Sequence, residues 1–366
     1  MFIWEITNWP QFSWNQADIS KLLAQTRHRQ GILLGRMKAL GFALRAEATL
    51  KILTEDVIKT SEIEGEKLDP DQVRSSIARR LGMDIAGLIP ADRDVDGIVE
   101  LMLDATGNFE KPLTKERLFD WHAALFPTGR SGMHRIRVGT RRDDHAGPMQ
   151  VVSGPIGREK THFTAPPADR VPAEMERLLH WFNQDTSADP VLASGIAHLW
   201  FVTVHPFEDG NGRIARAIAD MALARSEQTS QRFYSMSSQI RKERSKYYQI
   251  LERTQKGDLD ISGWLQWFLE CFSRAVANAD ETLGSTLSKA NFWEKHTTTK
   301  FNERQRKILN RLFDGFEGNL TSSKWAKINK CSQDTANRDI ADLLDKGVLA
   351  KGPAKGRSTS YALAKY

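Results

Sequence analysis

The stretch that decides the fold is His205-Pro-Phe-Glu-Asp-Gly-Asn-Gly-Arg-Ile-Ala-Arg216. An apolar helical pattern leads into it from Pro190 to Val204, and Asp189 just before is a good helix cap. A second helical pattern, 213–226, starts directly after the Gly-Asn-Gly turn. The sequence therefore predicts a mainly α fold in which two helices meet at this turn.

The turn has the make-up of an anion site. Gly210, Asn211 and Gly212 tolerate positive φ, so a tight turn can point successive N–H groups into one concavity. The positive end of the next helix lies at the same place and also favours an anion. Arg213 and Arg216 share one face of the first helical turn, where acidic residues are the usual choice. Two arginines there indicate an anion between them, although a Gly-Asn-Gly segment alone is more often an ordinary turn.

Two further residues supply a base and a metal ligand. With an ordinary pKa of about 6.5, His205 is largely neutral at pH 7 and can accept a proton from a hydroxyl. Asp209 offers the hard oxygen that Mg²⁺ prefers when it accompanies nucleotide phosphates. A histidine at a helix end is more often a cap than a base. The prediction therefore depends on finding base, acid, anion site and two arginines within one short segment.

The complete pattern HPFEDGNGRIAR resembles the signature HPFx[D/E]GNGRxxR of the Fic family. The resemblance implies a helical Fic core that transfers AMP from ATP, with Mg²⁺, to a Tyr, Thr or Ser hydroxyl of a target protein. It makes His205 the catalytic base, Asp209 the Mg²⁺ ligand and Phe207 a core anchor. It assigns the nucleotide phosphates to the motif residues Gly210, Asn211, Gly212, Arg213 and Arg216, the two arginines taking the β- and γ-phosphates.

A β-hairpin is predicted before the motif, between Arg135 and Pro167, because apolar and polar residues alternate on either side of a Gly/Pro turn. The resemblance identifies it as the Fic flap, which registers the target segment by strand addition. An ordinary surface hairpin is the alternative. The flap residues that the resemblance assigns to binding are Val151, Val152, Ser153 and Gly154.

A segment after the motif, 247–258, resembles the stretch that lines the adenine pocket in the family. On this resemblance Tyr247 lies against the base and Gln255 is a second contact, at a position where family members often have Asn. Tyr248 is expected in the core.

An inhibitory motif is also present. Thr60-Ser-Glu-Ile-Glu64-Gly65 resembles the [S/T]xxxE[G/N] motif of Fic proteins, with Thr60, Glu64 and Gly65 matching. The resemblance implies that Glu64 pairs with Arg216 and blocks the γ-phosphate. An arginine cannot hold a carboxylate bidentately and a phosphate at the same time. Low basal activity is therefore expected, and in some relatives this glutamate instead positions water for AMP removal, so net removal stays open.

Three regions separate along the chain. Residues 1–95 are helical in pattern and carry the inhibitory motif, 96–290 would form the Fic core, and 300–366 form a compact C-terminal unit. The helical run from about Phe42 is expected to end at Glu64, with Gly65 as its C-cap residue and Pro70 preventing a helix from resuming nearby.

The C-terminal unit has the pattern of three helices followed by a hairpin. The helices are predicted at Glu303–Phe313, at Ser322–Asn329 and from the cap Ser332 to about Leu344, and the strands around Val348–Ala350 and Thr359–Leu363. This order is typical of a winged helix-turn-helix, with 352–357 as the tip of the wing. The third helix resembles the TAxRDLxxL pattern of bacterial regulators.

Charge is concentrated in the same unit. Residues 301–366 hold 13 Lys/Arg against 7 Asp/Glu, a balance equal to the +6 of the whole chain. The excess directs any binding of a polyanion such as DNA to this unit, although basic residues can also merely solubilise a small domain. Asp334, Asp339 and Asp342 on the third helix oppose such binding, and winged helices also dock proteins, so both partners stay open.

Composition limits the other classes of protein to which the chain could belong. Hydrophobic residues make up 40% and charged residues 27%, without an apolar run of membrane-spanning length. The first residues lack the features of a signal peptide, and Cys271 and Cys331 form no CxxC pattern. These observations predict a reduced, cytoplasmic protein without membrane contact, and a homodimer is possible.

For the interpretation as an AMP-transferring enzyme, the predicted partner is a protein that carries an acceptor hydroxyl, with self-modification left open. One alternative is a transcriptional regulator that uses the Fic core as a nucleotide sensor. Another is a Fic enzyme that transfers UMP, phosphocholine or phosphate. The intact His205 argues against a pure sensor, because binding ATP needs no base, and both motif arginines favour AMP.

Overall fold

The computed structural model describes residues 1–39, 41–83, 87–145, 147–155, 158–184, 187–313, 316, 318–352 and 359–364. These residues are mainly helical, as the sequence predicts, with small antiparallel hairpins. They form two compact units, Met1–Ala279 and Asp280–Tyr366. The division into three regions is finer than these two units and stays a prediction.

The first unit opens with three helices, α1 (Gln16–Lys38), α2 (Phe42–Ile63) and α3 (Pro70–Arg80). α2 ends where the sequence predicts, with Glu64 as C-cap and Gly65 at φ 92°. The expectation that Pro70 prevents a helix was wrong. Pro70 is the first residue of α3, where a missing N–H costs no intrahelical hydrogen bond, and Asp69 caps the helix by accepting two backbone N–H bonds.

The core of this unit is helical. Its elements are α4 (Arg93–Gly107), α5 (Lys115–Leu125), α6 (Val171–Gln184), α7 (Pro190–Val204), α8 (Asn211–Glu227), α9 (Met236–Lys242) and α10 (Arg244–Gln255), and α11 (Ser262–Lys295) extends past its end. α7 is apolar around its whole circumference and is buried almost throughout, which is the usual place of such a helix. α7 and α8 pack against each other, and the motif joins them.

Two hairpins lie between α5 and α6. The first consists of β1 (Arg130–Ser131) and β2 (His134–Arg135), and the second of β3 (Gln150–Ser153) and β4 (Lys160–Thr164). The predicted hairpin is the second one, in which Gln150 pairs with Thr164 and Ser153 with Lys160. Its base is anchored because Trp4 Nε1 donates to the carbonyl of Thr164 (2.7 Å) and Phe163 is buried.

The second unit contains α12 (Glu303–Phe313), α13 (Ser322–Asn329), α14 (Gln333–Asp345), β5 (Leu349–Lys351) and β6 (Tyr361–Leu363). This order of elements is the predicted one, and β5 pairs antiparallel with β6. Trp325, Ile308 and Leu343 are fully buried in its core. Residues 353–358, which include most of the expected wing tip, lie outside the described residues, and the winged-helix interpretation stays a prediction.

Two of the aspartates on α14 are engaged within the second unit. Asp339 accepts two hydrogen bonds from the Arg304 guanidinium (2.7 and 3.0 Å), and Asp342 pairs with Lys346. Their charge is therefore partly compensated internally, while Asp334 stays exposed. Contact with DNA stays a prediction. Among the described residues, no helix combines the length and apolar character needed to cross a membrane.

Candidate active site

His205 lies where α7 ends. It adopts the left-handed conformation (φ 52°), and its backbone N–H still donates to Phe201, so the chain turns sharply out of the helix at this residue. The side-chain Nδ1 faces the carbonyl of Val202 at 3.1 Å, an arrangement that holds the proton on Nδ1. Nε2 then carries the free lone pair. Burial lowers the pKa of His205 to about 4, with Arg142 adding to the effect, so the imidazole is neutral at pH 7.

The motif loop is held by Asn211. Its Oδ1 accepts from the backbone N–H of Phe207 (3.0 Å), and its Nδ2 donates to the Phe207 carbonyl (2.8 Å). The Phe207 ring stacks on His122, with centroids 4.2 Å apart and planes 9° apart. Asn211 and Gly212 are helical, so the expected positive φ occurs only at Gly210 (φ 80°) within this turn. The side chain of Asn211 therefore shapes the loop instead of pointing at an anion.

Arg142, which was not predicted from the sequence, forms a hydrogen bond to the backbone of the motif. Its Nε donates to the carbonyl of His205 (2.7 Å) and its Nη2 to that of Pro166 (2.5 Å). Its Nη1 pairs with Asp144, and only 1% of its side chain is exposed. One arginine among several in an irregular stretch gives no sequence signal, because only the folded chain brings these carbonyls together.

Replacing Arg142 by alanine is expected to destabilise the chain by about 3 kcal/mol, because it leaves buried carbonyls and Asp144 without their partner. Arg141→Ala is the matched control, since this neighbouring side chain is exposed and its loss should change stability by less than about 0.5 kcal/mol. Urea unfolding of the two full-length variants measures the difference. Equal midpoints would show that the Arg142 contacts contribute nothing.

Glu64 contacts Arg216, the partner that the resemblance implies. Arg216 is 2% exposed, and its Nη2 donates to Glu64 Oε1 at 2.7 Å. Its Nε donates to Thr60 Oγ1 (2.7 Å) and its Nη2 also to the Thr60 carbonyl (2.9 Å). A methyl group placed on Gly212 would overlap Glu64 Oε1. The carboxylate therefore lies directly over the first turn of α8, where the sequence predicts an anion.

Arg213 has a carboxylate partner that the sequence analysis missed. Its Nη1 donates to Glu66 Oε2 at 2.6 Å, and its Nη2 lies 4.0 Å from Asp209 Oδ1. The guanidinium also stacks over the ring of Phe126, 5.0 Å from its centroid. Two N–H groups, Arg213 Nε and Arg216 Nη1, are buried without an acceptor among the described residues. Unsatisfied donors of this kind indicate a place prepared for an anion.

Asp209 keeps a partly exposed carboxylate, with 40% of its side chain accessible. One oxygen accepts from the Ser131 hydroxyl and the other from the backbone N–H of Gly210 (2.5 Å). Within the described ranges no group of three or more His, Cys, Asp or Glu side chains could hold a metal ion. Asp209 nevertheless fits Mg²⁺, which commonly uses one or two carboxylates and completes its shell with phosphate oxygens and water.

The four predicted flap residues lie on β3 and the turn after it. Val152 is 47% exposed, and Gly154 has φ 109°, which favours glycine. The Ser153 hydroxyl and His162 Nε2 are 2.6 Å apart, and His162 Nδ1 lies 2.7 Å from Glu252 Oε2. Since Glu252 is on α10, this chain of contacts ties the outer edge of the hairpin to the helix that is expected to line the adenine pocket.

The burial of the two tyrosines is the reverse of the expectation. Tyr247 is 2% exposed and its hydroxyl lies 2.9 Å from His198 Nε2, whereas Tyr248 is half-buried. Gln255 is also buried, and its Nε2 donates to Thr203 Oγ1 (3.2 Å). Neither Tyr247 nor Gln255 offers a free surface to a base. Adjacent aromatic residues on a helix share no face, so sequence alone could not decide which one points inward.

Family models match two parts of the chain. Residues 2–83 match "Domain of unknown function (DUF4172)", and residues 112–223, which include the whole motif, match the Fic/DOC family. The chain therefore carries a Fic domain over residues 112–223. The first match ends beyond Glu64 and Glu66, so both carboxylates that reach the motif arginines come from outside the Fic match.

Relatives and solved structures agree with this assignment. Protein adenylyltransferase Fic of Drosophila virilis is 32% identical over 104 residues, which cover 28% of this chain and 20% of the relative. Protein adenylyltransferase fic-1 of Caenorhabditis elegans is 33% identical over 96 residues, 26% and 18% of the two chains. The match thus spans about a fifth of the length of these relatives.

Similarity to one solved structure extends over almost the whole chain. A Fic family protein from Desulfovibrio desulfuricans G20 has a TM-score of 0.55 at 21% identity and covers 98% of both chains. A Fic domain containing signaling protein from Bacteroides thetaiotaomicron VPI-5482 has a TM-score of 0.50 at 20% identity, over 71% of this chain and 94% of the other. At these identities the similarity establishes the fold alone.

Proposed function

We propose that the chain is a protein adenylyltransferase that moves AMP from ATP to a Tyr, Thr or Ser hydroxyl of a protein, and that Glu64 inhibits it in cis. The observation that carries this proposal is the contact between Glu64 and Arg216 directly over Gly212. A carboxylate there takes the place that a nucleotide phosphate would need. The adenylyltransferase names of the distant Fic relatives support the same reaction.

In the proposed reaction His205 Nε2 accepts the proton of the acceptor hydroxyl. The oxygen attacks the α-phosphorus of ATP, an O–P bond forms, and the bond to pyrophosphate breaks. The amides at the start of α8 and the two motif arginines compensate the phosphate charge, which is the main contribution to phosphoryl transfer. Mg²⁺ bound at Asp209 would neutralise further charge on the phosphates. The exposed edge of β3 would hold the target segment as an added strand.

Inhibition follows from competition for one guanidinium. Arg216 is almost fully buried and already makes three hydrogen bonds to Thr60 and Glu64, so a γ-phosphate can bind it only after Glu64 leaves. Glu64 is held by the C-terminal turn of α2, and α2 packs on α8 and α9. We therefore infer a low basal rate of transfer. AMP removal with Glu64 as a positioning residue uses the same contacts and is distinguished by testing a modified protein as substrate.

The proposal can be tested without knowing the target. Cell lysate treated with the Glu64→Gly variant and ATP–Mg²⁺ should yield peptides that carry AMP on Tyr, Thr or Ser, detected by mass spectrometry. The wild-type chain should yield few, and the Glu64→Gly variant that also carries His205→Ala should yield none. Absence of AMP-bearing peptides from every sample, including the enzyme itself, would reject the reaction.

The proposed base, His205, is expected to stay unprotonated and therefore active at pH values far below 7. Because burial lowers the pKa of His205 to about 4, the unprotonated imidazole that accepts a proton predominates above about pH 5. The transfer rate of the Glu64→Gly variant should therefore stay level from about pH 7 to about pH 5. Initial rates across that range, with folding checked by circular dichroism, measure this. A rate that halves near pH 6.5, the ordinary value for histidine, would contradict the lowered pKa of the base.

A further inference from the structure

A second carboxylate reaches the phosphate site from the same turn that delivers Glu64. After α2, Gly65 takes the left-handed conformation, and the backbone N–H of Glu66 donates to the carbonyl of Ser61 at 3.0 Å. This hydrogen bond folds the chain back over the helix end, as in a Schellman cap. Glu64 and Glu66 consequently both face the start of α8, although residues two apart in a continuing helix would point to nearly opposite sides.

The contacts of Glu66 parallel those of Glu64. Glu64 Oε1 accepts from Arg216 at 2.7 Å, and Glu66 Oε2 accepts from Arg213 at 2.6 Å. Both guanidinium groups are buried, with 4% of Arg213 and 2% of Arg216 exposed. Each arginine also keeps one buried N–H without an acceptor among the described residues. The two arginines are thus each held by one carboxylate and still lack part of the coordination that a phosphate would supply.

The surroundings of Glu66 make its ion pair with Arg213 easy for a phosphate group to displace. Its side chain is 45% exposed, and the charged groups that act on it are Arg213, Asp209 and Glu64. Desolvation raises the pKa of Glu66, Arg213 opposes the rise, and the two neighbouring carboxylates add to it. A carboxylate in that environment is easier to displace than one with several partners. A phosphate group, with more charge and more acceptor oxygens, competes well for the same guanidinium.

We propose that Glu66 determines which nucleotides the resting site accepts, because it stands in for one phosphate at Arg213 as Glu64 stands in for the next at Arg216. This inference rests on the proposed function, which assigns the β-phosphate to Arg213 and the γ-phosphate to Arg216. A nucleoside monophosphate then binds without displacing either carboxylate. A diphosphate must displace Glu66, and a triphosphate must displace both. Removing Glu64 alone leaves the diphosphate position still closed by Glu66.

The test is a nucleotide titration of the full-length chain. Binding of AMP, ADP and ATP, each with Mg²⁺, is measured by isothermal titration calorimetry in the His205→Ala background, which prevents turnover. Glu66→Gln should tighten ADP and ATP about fivefold, the effect of removing one partly exposed charge competitor, and leave AMP within about twofold. Glu64→Gly should tighten ATP but not ADP. Glu66→Ala serves as a second variant in case the glutamine still accepts a hydrogen bond from Arg213.

Glu62→Gln is the matched control, since it lies in the same turn but pairs with Lys59 and Arg241 and should leave all three affinities unchanged. ADP affinity that is unchanged or weaker in both Glu66 variants would overturn the inference, a weaker value showing that Glu66 positions Arg213 for the nucleotide. The proposed function is tested by a different experiment, the assay of AMP transfer. If ADP binding tightens but the Glu64→Gly chain with His205 intact transfers no AMP, Glu66 still controls the site and only the reaction is wrong.

Discussion

Replacing Glu64 by glycine is expected to raise the rate of AMP transfer by roughly 30-fold, the equivalent of about 2 kcal/mol. The physical reason is the release of Arg216, whose buried guanidinium is held by Glu64 at 2.7 Å and becomes free to take a phosphate. The same change also removes the carboxylate that lies over Gly212. Incorporation of label from α-labelled ATP into protein, at equal concentrations of the two chains, measures the increase.

Glu62→Gly is the control for this prediction, because it makes the same substitution in the last turn of α2 without touching either motif arginine. It should leave transfer at the wild-type rate. A Glu64→Gly rate equal to the wild-type rate would show that the contact with Arg216 does not limit the enzyme. A rate that rises equally in the control would assign the effect to a loosened α2 and not to the carboxylate.

Replacing His205 by alanine in the Glu64→Gly background should lower AMP transfer by about a thousandfold, within the range that general-base catalysis contributes. The nitrogen that would accept the hydroxyl proton is lost, while the arginines and the start of α8 are unchanged. Binding of ATP–Mg²⁺ should therefore stay close to that of the parent variant. Initial rates and calorimetric binding, measured on the same preparations, separate the two effects.

His180→Ala is the control here, since this histidine is exposed on α6 and the motif contacts do not include it. Its transfer rate should match that of the parent. If His205→Ala retained most of the activity, the base would be another group or none. If it lost ATP binding in parallel with activity, His205 would be a structural residue of the motif loop.

The sequence predicts the helices around the motif well because their signals are local. Asp189 followed by Pro190 marks the start of α7, and the left-handed Gly65 marks the end of α2. The error at Pro70 came from treating proline only as a helix breaker, when a capping aspartate before it makes it a helix start. The Glu64–Arg216 contact could be anticipated because a resemblance connected two distant segments.

Other parts of the site depend on the three-dimensional fold and carry no local signal. Arg142 reaches the carbonyls of His205 and Pro166, which are distant from it in sequence, and nothing in its neighbours along the chain indicates this. The burial of Tyr247 is decided by its contact with His198 on α7. Glu66 could have been suspected from the Glu64-Gly65-Glu66 spelling, because a left-handed glycine turns the next residue back towards the helix end. Its partner Arg213 is visible only in the structure.

In the proposed inhibition, Glu64 occupies the Arg216 guanidinium that ATP needs and thereby slows AMP transfer. Parallel reactions of the wild-type chain and the Glu64→Gly variant with α-labelled and with γ-labelled ATP test it most directly. We expect covalent label on protein from α-labelled ATP, far more with the variant, and none from γ-labelled ATP. Protein label from γ-labelled ATP, or no label from either nucleotide with the Glu64→Gly variant, would contradict it.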